Sequence, residues 1–187
     1  LGGLLLPMVI TCAFPATYLA LFHRITNSFK ETRNFDKLAI GLPRGHGKTI
    51  FIKILIFWAI LFTDKRFILV ICATQKLSRN ILADIEAMLI SPNIQKLFGE
   101  VEIRQTQDQK VFKFRGKVVI LAANATGGAV RGVNVDNVRP DIIIFDDAQT
   151  ADCAKSLVQA KEYASWFSGT AMKAKSPSGC TFLYIGN

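Results

Sequence analysis

The sequence predicts a three-layer αβα domain, a mainly parallel sheet flanked by helices, and three observations lead there. Apolar, β-branched runs alternate with segments of helical periodicity along the 187 residues. A glycine-bearing loop lies between the first such run and a long apolar helix, and a later run ends in two adjacent carboxylates. No internal repeat, low-complexity segment or Gly/Ser/Pro linker divides the chain, so residues 1–187 are read as one domain.

Taken in order, residues 37–41 form a short apolar run that ends in the glycine-bearing loop, and the apolar stretch from Thr49 onward is long enough for a buried helix. Residues 66–73 (RFILVICA) are continuously apolar, as strands buried on both faces are. Residues 76–89 place Leu77, Ile81, Ile85, Met88 and Leu89 at helical spacing, and Ser91 and Pro92 end that helix. Residues 111–122 read as a hairpin that turns at Arg115 and Gly116. Residues 141–145 and 181–185 are two further strands, with a helix expected over 154–173 between them.

Composition narrows the function classes. Half the residues are apolar, yet the stretch 1–22 is interrupted by Pro7, Thr11, Pro15 and Thr17, and 50–62 is too short for the roughly 20 residues of a spanning helix. Neither is expected to cross a membrane, and the opening is read as part of the domain, packed on its core. Cys12, Cys72, Cys153 and Cys180 lack paired spacings and His23 and His46 are isolated, which argues against zinc and for a reducing compartment. The net charge of +9, from 23 basic and 14 acidic residues, is compatible with a polyanionic partner but equally with an ordinary solvated surface. The chain starts at Leu1 and stops just after a strand, and is read as a piece of a longer protein.

The chemistry concentrates in Leu42-Pro43-Arg44-Gly45-His46-Gly47-Lys48-Thr49, between strand and helix. Gly45 and Gly47 let the backbone turn its N–H groups inward, so loop and helix N-terminus can cradle a polyphosphate. In such a loop Lys48 would reach the β and γ phosphates and the Thr49 hydroxyl would ligate magnesium. The general pattern has glycine where Leu42 stands. Residues 141–147 (DIIIFDD) supply an apolar strand ending in two acids, which at the carboxyl end of a parallel strand would face a ligand crevice. Asp146 would hold magnesium through water, and Asp147 would orient and activate the attacking water. These features define a P-loop NTPase using ATP and Mg2+. Arg44, in the loop, and Arg131, in the stretch Gly127-Gly128-Ala129-Val130-Arg131-Gly132, compete to neutralise the leaving phosphoryl group. Arg139, followed at once by Pro140, is less suited.

Together, PRGHGKT, AVRG, RPDIIIFDD and the closing FLYIGN resemble the ATPase domain of the terminase large subunit, the motor that packages DNA into tailed-phage and related viral capsids. The resemblance runs over residues 14–187. It implies a loop in which proline and arginine precede the glycines, with Arg44 as the loop arginine and Arg131 as an arginine acting on a neighbouring subunit's nucleotide. It implies that Asn187, where threonine is common, is the polar residue of a coupling motif, and that Asp147 stands where many members have glutamate. Residues 14–18 would flank adenine. Double-stranded DNA, portal protein, small terminase subunit and a homo-oligomeric ring are the implied partners, in the host-cell cytoplasm at the procapsid. A nuclease domain would follow this segment, so ATP binding without DNA cutting is expected. A helicase-like nucleic-acid remodelling ATPase shares both phosphate motifs, and an assembly module that binds nucleotide with little hydrolysis is the reading from a different class.

Overall fold

The computed structural model describes residues 15–31, 35–130, 138–149 and 155–186. In chain order the elements are α1 (Ala16–Lys30), β1 (Phe35–Gly41), α2 (Lys48–Phe62), β2 (Phe67–Cys72), α3 (Gln75–Leu89), α4 (Pro92–Phe98), β3 (Glu102–Gln105), β4 (Gln109–Phe114), β5 (Lys117–Ala125), β6 (Ile142–Asp146), α5 (Leu157–Gly169), a 3-10 turn (Ala171–Ala174) and β7 (Cys180–Gly186). The strands form a seven-stranded sheet in the order β1-β7-β6-β2-β5-β4-β3. Pairing is parallel from β1 through β5 and antiparallel for β5-β4-β3, the expected mainly parallel sheet.

The apolar sequence of β2 (FILVIC) and β6 (IIIFD) follows from their place at the centre, where every residue is buried. Alternation divides them between two cores. Ile68, Val70, Cys72, Ile142 and Ile144 face one side, against Phe51, Leu55, Ile56 and Ile60 of α2 and Ile81, Ile85 and Met88 of α3. Phe67, Leu69, Ile71, Ile143 and Phe145 face the other, with Ala171, Phe182 and the partly buried Trp166 and Phe167. The unbroken apolarity of α2 has the same cause: it is wedged among the sheet, α1 and α3, with Phe51, Ile52 and Leu55 at most 2% exposed.

Three elements go beyond the sequence reading. Residues 16–30, which begin inside the interrupted apolar opening and run past it, form α1, which packs Tyr18 edge-on to Phe51 and Phe22 edge-on to Trp58. Pro92, read as a helix stop, also opens α4 at the first-turn position where its missing N–H costs nothing. β3 pairs with β4 and extends the sheet edge. One expectation is corrected: the helix foreseen to residue 173 ends at Gly169, where Thr170 leaves helical geometry, and a 3-10 turn follows that buries Ala171 completely. The hairpin turn stands as foreseen, Arg115 and Gly116 both having positive φ (47° and 74°), as a two-residue hairpin turn requires. No helix among the described residues is long and apolar enough to cross a membrane.

Candidate functional site

At the carboxyl edge of the sheet β1 delivers the glycine loop and β6 the two aspartates, with β7 between them. The end of β7 is bonded to both, the Leu42 N–H donating to the Gly186 carbonyl at 2.9 Å and the Asp147 N–H to the Ile185 carbonyl at 3.0 Å. Gly45 and Gly47 adopt left-handed φ of 77° and 71°, which side-chain-bearing residues avoid. Leu42 is not in that region, and its side chain packs on the core. Glycine is therefore not needed at the one position where the sequence departs from the general loop pattern.

The α2 N-terminus follows Gly47 with no side-chain cap, leaving first-turn N–H groups as donors toward the cleft. Lys48 is 7% exposed, and its Nζ donates to the Leu42 carbonyl at 3.1 Å and lies 3.7 Å from Asp147 Oδ2. A cleft of about 530 Å3 is lined by Arg44, Gly45, Gly47, Lys48, Thr49, Ile50, Asp147 and Gln149. Pro43 and His46 do not line it. The His46 ring turns back to the Arg44 carbonyl at 3.0 Å, and its own carbonyl accepts a hydrogen bond from the buried Tyr18 hydroxyl. Tyr18, in the region expected to flank a base, thus braces the loop.

Asp146 is buried behind Thr49, whose Oγ1 donates to Asp146 Oδ2 at 2.9 Å. Burial raises the Asp146 carboxyl pKa, with a smaller push from Asp147, against the Thr49 hydrogen bond and the charges of Lys48 and Lys53. Asp146 Oδ1 is buried without a hydrogen-bond partner among the described residues. A hard divalent cation suits this donor set of hydroxyl, carboxylate and orphaned oxygen. No cluster of three or more His, Cys, Asp or Glu ligands occurs among the described residues.

Asp147 is half exposed and held at φ 42°, a left-handed conformation that Asp and Asn tolerate better than most residues. Thr126 braces the turn, its hydroxyl donating to the Ala148 carbonyl and its N–H to the Cys72 carbonyl. Cys72, in register with Asp146, has its thiol pushed up to about 12 by burial and then by the two aspartates, so it is no nucleophile at neutral pH. Arg131 and Asn187 lie outside the described residues. The stretch leading to Arg131 is anchored, because Val130 is buried and Trp166 Nε1 donates to the Gly128 carbonyl at 2.9 Å. Sequence reasoning missed Thr126, Gln149 and the bracing contact of Tyr18. Gln149 had a signal, two positions after Asp147, whereas Tyr18 lies 28 residues from the carbonyl it braces.

No family model and no curated protein sequence matches the chain. Solved structures do. A single-residue variant of the Thermus phage P74-26 large terminase ATPase domain superposes with a TM-score of 0.55 at 11% identity, covering 94% of this chain and 70% of that one. The large terminase of a thermophilic bacteriophage, also solved with ADP, gives a TM-score of 0.53 at 11% identity, over 94% of this chain and 39% of that one. The HK97 bacteriophage large terminase gives 0.51 at 14% identity, over 81% and 29%. The chain thus spans about two fifths of the length of the thermophilic-phage protein. Identities this low speak to architecture alone, and what these structures share with the chain is an α/β fold, a mainly parallel sheet flanked by helices.

Proposed function

We propose that this chain is the ATP-hydrolysing motor domain of a terminase large subunit, driving double-stranded viral DNA into a procapsid. The observation that carries the reading is the convergence of Lys48, Thr49, Asp146 and Asp147 on one cleft at the carboxyl edge of a parallel sheet, from positions about 100 residues apart. Support also comes from the shared fold, and from the ADP bound by the thermophilic-phage terminase.

In this reading the inward N–H groups of the loop and of the α2 N-terminus hold the phosphates, and Lys48 neutralises charge on the β and γ groups. Thr49, and Asp146 through water, would hold Mg2+, which when bound would supply positive charge against the negative charge of the phosphates. Asp147, at the cleft wall, orients the attacking water and takes its proton. Arg44, on the same wall, reaches the phosphates from within the subunit, while Arg131 serves a neighbour's nucleotide in an assembled ring. Asn187 follows the strand that touches both loops and passes the state of the site onward. Portal protein and small terminase subunit are the partners of that assembly.

Replacing Lys48→Ala in the full-length motor should lower ATP turnover by about 100-fold or more, since it removes a preorganised charge from the site. Unchanged turnover would remove the proposal. A steep rise of wild-type turnover with protein concentration would favour an arginine supplied in trans.

A further inference from the structure

The opposite edge of the sheet, where β2, β6 and β7 begin, carries a second set of charges. Two adjoining hollows of about 410 and 340 Å3 share Arg66, Asp141 and Ser178 and together form one trough. Lys30, Lys65, Arg66 and Arg139 line it against two carboxylates, Asp64 and Asp141.

The two lysines have local structural explanations. Lys65 donates to the Glu31 carbonyl at the end of α1, and Lys30 lies over the Trp58 ring at 5.6 Å. The arginines have none. Asp141 is already engaged by backbone, its Oδ2 accepting from the N–H groups of Arg66 at 2.7 Å and Phe67 at 3.2 Å. Neither the Arg66 nor the Arg139 guanidinium has a hydrogen bond or ion pair among the described residues, unlike Arg24 and Arg79, each paired with an aspartate. The register pairing Ile68 with Ile142 brings both onto adjacent strand starts, so the two guanidinium groups stand at one rim. Two exposed, unpaired guanidinium groups side by side in a cationic trough on a chain of net charge +9 match a row of phosphates.

We propose that this trough binds the phosphate backbone of duplex DNA through Arg66 and Arg139, at a site roughly 20 Å from the nucleotide cleft, the length of a six-residue strand. A single strand would need an aromatic platform for its bases. The exposed aromatic of the trough, Phe62, is already packed against Trp58 and Phe98, at ring separations of 6.0 and 5.7 Å. The choice of DNA as the polyanion rests on the motor reading; the anion-binding character of the trough does not.

The test is fluorescence anisotropy of a short mixed-sequence duplex, without nucleotide, between about 50 and 200 mM salt, where each phosphate contact contributes about 0.9 to the log–log salt slope. The Arg66→Gln/Arg139→Gln double variant should bind about tenfold or more weakly at the low-salt end, with a slope shallower by about 2. Each single variant should lose about half of that slope, and both arginines being exposed, mant-ADP affinity and melting temperature should stay at wild-type values. Equal affinity of the double variant, an equal loss in a Lys76→Gln/Lys161→Gln control of the same charge change, or tighter binding of single-stranded DNA would each overturn the proposal. Loss of duplex binding in the arginine variants alongside unchanged turnover in Lys48→Ala would retire the motor reading and leave the trough standing.

Discussion

Asp146→Asn should make the nucleotide-free protein more stable while removing its response to magnesium. The buried Asp146 carboxylate has one oxygen satisfied by Thr49 and the other by nothing among the described residues. An unsatisfied buried polar atom costs about 1–3 kcal/mol, and more when charged. The amide keeps an oxygen for the Thr49 hydroxyl and sheds the charge, so a recovery of about 1 kcal/mol is expected, or about 2–4 °C in melting temperature for a chain of this size. The pH dependence has a definite sign. The folded pKa of Asp146 is raised above the ordinary 3.8, so its ionisation opposes folding. That penalty is fully present above the folded pKa and disappears as pH falls toward 3.8, so the gap between variant and wild type should narrow over the same window. Differential scanning fluorimetry across pH, with and without Mg-ADP, measures both effects. At ligand concentrations near 100 times Kd the wild type should gain about 2.7 kcal/mol, and the variant should lose the magnesium-dependent part of that gain. A variant that melts lower than wild type without nucleotide would refute the cost assigned to the buried carboxylate, and one that keeps the full magnesium response would refute the placement of the cation there.

Asp147→Asn keeps a residue that tolerates the φ of 42°, so melting should stay within about 2 °C while turnover falls by about 100-fold or more, read in a steady-state phosphate-release assay. Gly128→Ala would place a Cβ 2.3 Å from Asn124 Oδ1 and 2.9 Å from the Ala125 carbonyl, and urea unfolding should show a loss of about 1–3 kcal/mol. Tyr18→Phe removes the hydroxyl bonded to the His46 carbonyl, a contact worth about 0.5–1.5 kcal/mol. Titration with mant-ADP should then show roughly 2- to 12-fold weaker binding, with turnover at saturation retained; a drop in saturated turnover instead would place Tyr18 in the chemistry.

What was legible in the sequence is what periodicity and local turn chemistry encode. β2 and β6 announce themselves as unbroken apolar runs because both their faces are covered, and Arg115-Gly116 announces its turn because both residues take positive φ. That Lys48, Thr49, Asp146 and Asp147 come together was readable because residue type marks the loop after β1 and the end of β6. The partners that fix them were not. Tyr18 braces the loop from another helix, and Thr126 braces the aspartate turn from the end of β5, contacts made by tertiary packing that leave no local pattern. α1 was hidden for a related reason: its buried side is Tyr18, Ile25, Thr26, Ser28 and Phe29, and Ser28 is there because its hydroxyl meets Thr181 at 3.1 Å. A polar pair inside a helix–sheet contact defeats an apolar-stripe reading.

The position of β7 explains why these residues enclose a space instead of touching throughout. Adjacent strands lie about 4.8 Å apart, so one interposed strand sets the ends of β1 and β6 about 10 Å from each other. Direct pairing of β1 with β6 would leave no room between loop and carboxylates for a phosphate, a hydrated cation and a water. With β7 between them, Thr49 and Lys48 lean across from α2 to meet Asp146 and Asp147 at the back, and the front stays open as the cleft. The same insertion bonds the end of β7 to both sides, through Gly186 to Leu42 and through Ile185 to Asp147. A shift of either loop against the other must strain one of those two hydrogen bonds. The end of β7 is therefore mechanically tied to the separation of the loops.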